Sequence, residues 1–270
     1  MSGSELSQGA VPNKAALITG AGRRLGRAMA LYLAGRGYDV ALHYAASADE
    51  AEETAQEARA LGVRAVTLQA DLLDEAATAA LIPAATQALG PLTVLVNNAS
   101  IFDYDTIHSA TLDSWNRHIG SNLRAPFVLT QGFAAQAPEA GTDAAGEPIA
   151  TSLVINMIDQ RVRKLTPEFM TYTIAKMGLW AMTQTTAQAL APQIRVNAIG
   201  PGPTLQGARQ SDNHFARQRQ HTVLGRGSNP EDITAALGYF LDAPAVTGQL
   251  LCVDGGQHLA WQTPDILGVE

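Results

Sequence analysis

Seven short runs of β-branched or aliphatic residues, at 15–19, 39–44, 64–69, 92–97, 152–157, 194–199 and 249–253, are separated by alanine-rich amphipathic stretches. Each run is apolar enough to be covered on both faces, as strands of a parallel sheet are. Their alternation with helical segments is the pattern of repeated βαβ units. The stretch 47–61 shows the logic: Ser47 stands where a helix is capped, Glu52, Glu53 and Glu57 face water, and Gly62 stops the helix before the next run. The expected fold class is α/β, a single doubly wound parallel sheet of seven strands flanked by helices over residues 14–257. A chain of 270 residues with 46% hydrophobic residues can bury the core this requires.

Two segments break the rhythm. Residues 137–150, rich in Pro, Gly, Ala and acidic residues, are expected to form an exposed loop. Residues 201–224 follow the sixth run with prolines, glycines and a polar stretch, where an α/β sheet places loops over its ligand crevice, and are expected to form a substrate lid. Residues 1–13 are expected to be a loose tail, and 258–270 a second one that packs on a neighbouring subunit through Trp261.

Composition excludes several functions. A net charge of −7 opposes a nucleic-acid footprint, and no apolar stretch has membrane-spanning length. The lone cysteine, Cys252, forms no internal disulfide, and six scattered histidines do not make a metal site. The polar start lacks the basic and apolar regions of a signal peptide, so a cytoplasmic location is expected.

The first strand runs into Thr19-Gly20-Ala21-Gly22-Arg23-Arg24-Leu25-Gly26, followed by a helical pattern. Glycines there let backbone approach a pyrophosphate, while the helix N-terminus offers free N–H groups. After the second strand the chain reads His43-Tyr44-Ala45-Ala46-Ser47, without the acidic residue that binds the ribose 2′-hydroxyl of NAD. Arg24, with Arg23 beside it, is placed to neutralise a 2′-phosphate and Ser47 to donate to it, unless the arginines are merely solvated charges. NADP(H) is the expected cofactor. After the third strand, Asp71-Leu72 offers an acceptor for the adenine amino group or an N-terminal helix signal. After the fourth, Asn98-Ala99-Ser100 gathers small polar residues at the ligand edge.

Tyr172 and Lys176 are four apart in a helical segment, so both project from one face. A nearby ammonium lowers the pKa of a phenol, which suits tyrosine for proton transfer when a hydride moves to or from carbon.

Together with Asn97-Asn98-Ala99, Asn122, Arg195-Val196-Asn197, Pro201-Gly202 and Val253-Asp254-Gly255-Gly256, these motifs give a resemblance from Lys14 to Gly256 to the short-chain dehydrogenase/reductase family, whose domain is Rossmann-like. The resemblance implies that Lys176 also holds the nicotinamide ribose, that Asn122 anchors a water in a proton relay, that Pro201 and Gly202 border the cofactor, and that the protein is a homotetramer. Two departures from the general family pattern, Arg24 for glycine and Asp159 for the serine thirteen residues before the tyrosine, resemble the pteridine reductases. Further likenesses are Arg24-Leu25-Gly26, Leu42-His43-Tyr44, Ser100 followed by Phe102, and Tyr172-Thr173-Ile174-Ala175-Lys176. In that group the counterparts of Ser100 and Phe102 line the pterin site. Ala45 and Ala46 replace the larger polar residues found there, which leaves the 2′-phosphate to Arg24 and Ser47.

Residue chemistry agrees. An ionised aspartate only accepts hydrogen bonds and repels a developing oxyanion, so Asp159 suits a ring rich in N–H groups better than a ketone. Desolvation that raises its pKa would let it share a proton with Tyr172. Asp159, Tyr172, Lys176 and Asn122 are thus the expected catalytic residues, and Ser100, Phe102, Asp159 and Tyr172 the expected substrate contacts. The expected reaction is hydride transfer from NADPH to a pterin or folate. The alternatives are a general carbonyl reductase of the same family and a non-catalytic NADP(H)-binding regulator.

Overall fold

The computed structural model describes residues 13–207 and 210–261. A seven-stranded sheet runs in the order β3-β2-β1-β4-β7-β8-β9, with every neighbouring pair parallel. Its strands are β1 (Ala15–Ile18), β2 (Asp39–Tyr44), β3 (Ala65–Gln69), β4 (Val94–Asn97), β7 (Ser152–Met157), β8 (Ile194–Pro201) and β9 (Leu250–Val253). All seven expected strands are present, two with the expected bounds and five with an end that differs by one or two residues. Because β1 pairs with both β2 and β4, chain direction across the sheet reverses there, and a crevice opens at the C-terminal ends of the two strands.

Helices cover both faces. Helices α1 (Arg24–Gly35) and α8 (Pro230–Asp242) pack on one side through Met29, Leu33, Ile233, Leu237 and Phe240 against Ile18, Leu42 and Val96. On the other side α3 (Glu75–Leu89) and α5 (Ala125–Gln136) bury Leu81, Ile82, Leu129 and Phe133 against Leu17, Leu95 and Val154. Alternate residues of β1 thus enter opposite cores, as period-two side chains must. Helix α2 (Ala48–Ala60) links β2 to β3. The site is carried by α4 (Leu112–Ile119), by a π-helical turn over Gly120–Arg124, and by α6 (Met170–Ala189).

The irregular segments hold more structure than composition suggests. Residues 137–150, expected as a plain loop, contain a small hairpin of β5 (Gly141–Thr142) and β6 (Pro148–Ile149), whose turn is tied by Asp143 accepting from the Ala145 and Glu147 N–H groups. The lid contains α7 (Asp212–Gln220), none of whose residues is buried. Asn13 is anchored rather than loose: its amide donates to the carbonyls of Leu89 and Pro91. The remainder of both expected tails, 1–12 and 262–270, lies outside the described residues, although Trp261 itself is exposed. Among the described residues no helix is long and apolar enough to cross a membrane, and no cluster of His, Cys, Asp and Glu is arranged to hold a metal.

Candidate active site

Two adjoining cavities occupy the crevice. The inner one, about 580 Å³, is lined by Gly20, Arg23, Arg24, Leu25, Gly26, Tyr44 and Ser47 at one end and by Asp159, Tyr172 and Lys176 at the other, with Asn98, Ala99, Ser100, Phe102, Pro201 and Gly202 between. The outer one, about 820 Å³, shares Arg24, Phe102, Asp159, Pro201 and Gly202 and extends under the lid to His214, Phe215 and Gln218 of α7.

The turn between β1 and α1 is built for close approach. Gly20 sits at φ +64°, and a Cβ on Gly26 would lie 2.0 Å from the Gly20 carbonyl oxygen, so neither position takes a side chain. The turn is braced from both sides. His43 is buried beneath it, with Nδ1 accepting from the Gly20 N–H at 3.1 Å and Nε2 facing the Ala70 carbonyl, which makes it the Nε2–H tautomer. Asn98 donates to the carbonyls of Thr19 and Gly20, and the Thr19 hydroxyl accepts from the N–H groups of Asn98 and Ala99. His43 therefore shapes the cavity from below and does not line it. Asp71 and Leu72 also lie off the cavity wall. Asp71 turns back to accept from the Leu73 N–H, Leu72 is buried, and the following helix is capped by Asp74 instead.

The arginines of the turn have protein partners. Arg23 faces Glu50 at 3.5 Å, and Arg24 donates from both terminal nitrogens to the lid, to the carbonyls of Gln206 at 2.9 Å and Leu205 at 3.0 Å. Arg24 also holds φ at +55°, the left-handed region that favours glycine. Ser47 occupies the N-cap of α2 but makes no capping bond, contrary to the expected cap, and its side chain faces the cavity. Glycine spacing, the exposed N-terminus of α1, two nearby guanidinium groups and the Ser47 hydroxyl together fit a dinucleotide carrying a 2′-phosphate.

At the other end, the Tyr172 hydroxyl donates to Asp159 Oδ2 at 3.0 Å, and Asp159 Oδ1 accepts from the Arg161 N–H at 2.8 Å. Lys176 is 2% exposed, and its Nζ donates to the Met157 carbonyl at 2.8 Å. Burial raises the Asp159 pKa above the usual carboxylate range. Burial and then the Asp159 charge hold Tyr172 well above an ordinary phenol, while burial lowers Lys176 to about 8. Burial and the Asp159 charge, rather than Lys176, thus set the direction of the Tyr172 shift, contrary to the expected lowering. The group nearest the phenol is a carboxylate, its ammonium neighbour is bonded to a backbone carbonyl, and the tyrosine proton is retained.

Phe102 lies 44% exposed, with Tyr172 edge-on at 4.6 Å between ring centroids. Phe169 stacks against it at 4.3 Å and an interplanar angle of 6°, and the Arg161 guanidinium lies over the Phe169 ring at 5.0 Å. Phe169, like Arg24, is left-handed, at φ +54°. The stack, with Tyr104 edge-on to Phe169, was missed in the sequence; aromatic residues at 102, 104, 169 and 172 were the only signal. Asn122 sits in the π-helical turn, fully buried, and its side chain clamps the backbone of Ile101 by donating to its carbonyl and accepting from its N–H. It fixes the loop that carries Ser100 and Phe102. Gly202 is required by a close approach, since a Cβ there would lie 2.5 Å from Asp254 Cβ. Arg219 anchors the lid by donating to the carbonyls of Pro203 and Ser228.

Residues 20–258 match a family model described as enoyl-(acyl carrier protein) reductase. This chain belongs to the short-chain dehydrogenase/reductase family. It is 31% identical to the 3-oxoacyl-[acyl-carrier-protein] reductase FabG of Staphylococcus aureus, over 91% of this chain and 98% of that protein. It is equally 31% identical to an L-rhamnose 1-dehydrogenase (NAD(P)(+)) of a Sphingomonas strain, over 92% and 98%. Among solved structures it is similar to FolM alternative dihydrofolate reductase 1 of Brucella suis in complex with NADP, with a TM-score of 0.87 and 42% identity over 95% of this chain and 99% of that one. A short-chain dehydrogenase of Burkholderia cenocepacia in complex with NADP is also similar, with a TM-score of 0.82, 30% identity, and coverage of 92% and 98%.

Proposed function

We propose that this chain is an NADP(H)-dependent pteridine reductase, transferring hydride to a dihydropterin or dihydrofolate. The observation that carries this reading is the partly buried Tyr172–Asp159 bond at 3.0 Å beside the Phe102 ring. A carbonyl reductase needs a donor facing the substrate oxygen, and a carboxylate in that place repels the charge that develops there. A pteridine ring presents N–H groups and basic nitrogens, for which an acceptor and a retained tyrosine proton are complementary.

Gly20, Arg24, Gly26, Ser47 and Lys176 would hold the cofactor, which when bound supplies the hydride. The residues of this chain then do the rest. Phe102 offers a flat apolar face, Tyr172 gives its proton to the ring nitrogen of the C=N bond as the carbon accepts hydride, and Asp159, with its raised pKa, shares the proton demand. Lys176, buried and charged, steadies the phenolate left behind. The likeness to a structure named as an alternative dihydrofolate reductase, at 42% identity, supports the same reading. A cytoplasmic homotetramer is the corresponding assembly.

The relatives at 31% identity named as 3-oxoacyl reductases favour a second reading, reduction of a ketone thioester. A screen of dihydropterins, dihydrofolate and 3-oxoacyl thioesters, followed by NADPH absorbance, decides between them. Turnover of the pteridines alone supports the first reading, and turnover of the thioester alone replaces it with the second.

A further inference from the structure

Two of the chain segments that line the inner cavity are the loop after β4, with Ser100 and Phe102, and the start of α6, with Tyr172 and Lys176. The N-cap of α6 is Phe169, left-handed and with no polar side-chain atom to cap the helix. The missing cap comes from the loop. Asp105, 2% exposed, accepts from the Thr171 N–H at 3.1 Å and from the Thr171 hydroxyl, and its own carbonyl accepts from the Met170 N–H at 3.3 Å. The Ser114 hydroxyl of α4 donates to the same carboxylate at 3.1 Å.

His118, fully buried on α4, closes the network. Its Nδ1 lies 2.7 Å from the Thr171 hydroxyl, which already donates to Asp105, so this nitrogen carries the proton; its Nε2 accepts from the Asp103 N–H at 3.1 Å. A carboxylate at a helix N-terminus meets free N–H groups and the positive end of the helix dipole, so this cap is strong as well as tertiary. Thr171 immediately precedes Tyr172, and Asp103 immediately follows Phe102. The network therefore fixes both neighbours of the two rings that stand edge-to-face at 4.6 Å.

We infer that Asp105 is a positioning residue: through Thr171 and His118 it sets the register between the Phe102 loop and the Tyr172 helix, and so the distance between the substrate platform and the proton donor. It touches neither substrate nor cofactor, and lines neither cavity of the crevice. The inference rests on Tyr172 as proton donor, as in the reading above, but not on the identity of the substrate.

The test uses whichever substrate the wild-type enzyme reduces, so failure of every pteridine would overturn the substrate reading while this comparison continues on the accepted ketone. Asp105→Asn, which keeps the shape but loses the charge and puts an NH2 donor in place of one of the two acceptor oxygens, is expected to lower kcat by about tenfold or more, because a catalytic group displaced by an ångström costs on the order of a hundredfold. Its Kd for NADPH should stay within about threefold, since the turn at Gly20 is untouched. Thr171→Ser, which retains the hydroxyl, should keep near wild-type kcat, whereas Thr171→Val should fall with Asp105→Asn. Amide exchange at 170–173 should quicken in Asp105→Asn, and Thr171→Val carries the same comparison if Asp105→Asn fails to fold. Wild-type kcat in Asp105→Asn, or equal losses of kcat and NADPH affinity, would overturn the inference.

Discussion

Arg24 combines two properties that a pair of substitutions separates. Its φ of +55° costs an L-residue about 1–2 kcal/mol relative to glycine, while its guanidinium makes two hydrogen bonds to lid carbonyls, each contributing about 0.5–1.5 kcal/mol net. Arg24→Ala loses both bonds and keeps the strained backbone. Arg24→Gly loses the same bonds but removes the strain, offset in part by a more flexible unfolded chain, so it should be more stable than Arg24→Ala by about 1 kcal/mol, a difference of about 2 °C in Tm for a chain of this size. For the cofactor the two variants should behave alike. A charge-assisted contact to a 2′-phosphate contributes about 1.5–3 kcal/mol, or about 10- to 150-fold in Kd. The guanidinium gives up Leu205 and Gln206 to reach a phosphate, which places the loss near the lower end. Thermal denaturation and fluorescence titration with NADPH and NADH measure both effects. Equal Tm values for the two variants would refute the strain argument, and an unchanged ratio of NADPH to NADH affinity would remove Arg24 from recognition of the phosphate.

Three further outcomes are expected. Tyr172→Phe should abolish most turnover, by about a hundredfold or more, while NADPH binding measured by fluorescence stays near wild type, since the hydroxyl acts on protons and not on the dinucleotide. The rate of reduction should fall as pH rises through the Lys176 value of about 8, because loss of the ammonium removes the charge that steadies the Tyr172 phenolate; a profile flat to pH ~10 would contradict this. The same shift has a stability consequence of defined sign. Between about 8 and the ordinary lysine value the unfolded chain binds the extra proton, so the Lys176 contribution to unfolding free energy rises with pH in that window, and Lys176→Met should flatten it in a denaturant series.

Much of the fold was legible because period and position carry it. The β2 and β7 ranges, Asp39–Tyr44 and Ser152–Met157, follow directly from apolar runs bounded by turn residues. The pairing of Tyr172 with Asp159 was legible as well, since a helix start behind a strand end brings residues thirteen apart together. Contacts that depend on side chains from distant segments were not. Nothing local marks Asp105 as the cap of a helix sixty-five residues away, or Phe169 as a left-handed residue stacked on Phe102. His43 was misplaced for a related reason: position at a strand end predicts nearness to the cofactor, but not that the ring points down to the Gly20 N–H and Ala70 carbonyl. The lid helix α7 was hidden because its sequence is polar apart from Phe215 and Ala216, too little to give a periodic apolar signal.

The role of Asp159 is tested most directly by the ratio of kcat/KM for a dihydropterin to that for a 3-oxoacyl thioester, measured with NADPH on the wild type and on Asp159→Ser. The expected result is a wild-type ratio well above one that falls by about a hundredfold or more in Asp159→Ser, through loss of pteridine turnover together with gain on the thioester as a hydroxyl donor replaces the carboxylate. A wild-type ratio below one, with thioester turnover that Asp159→Ser improves further, would contradict pteridine reduction.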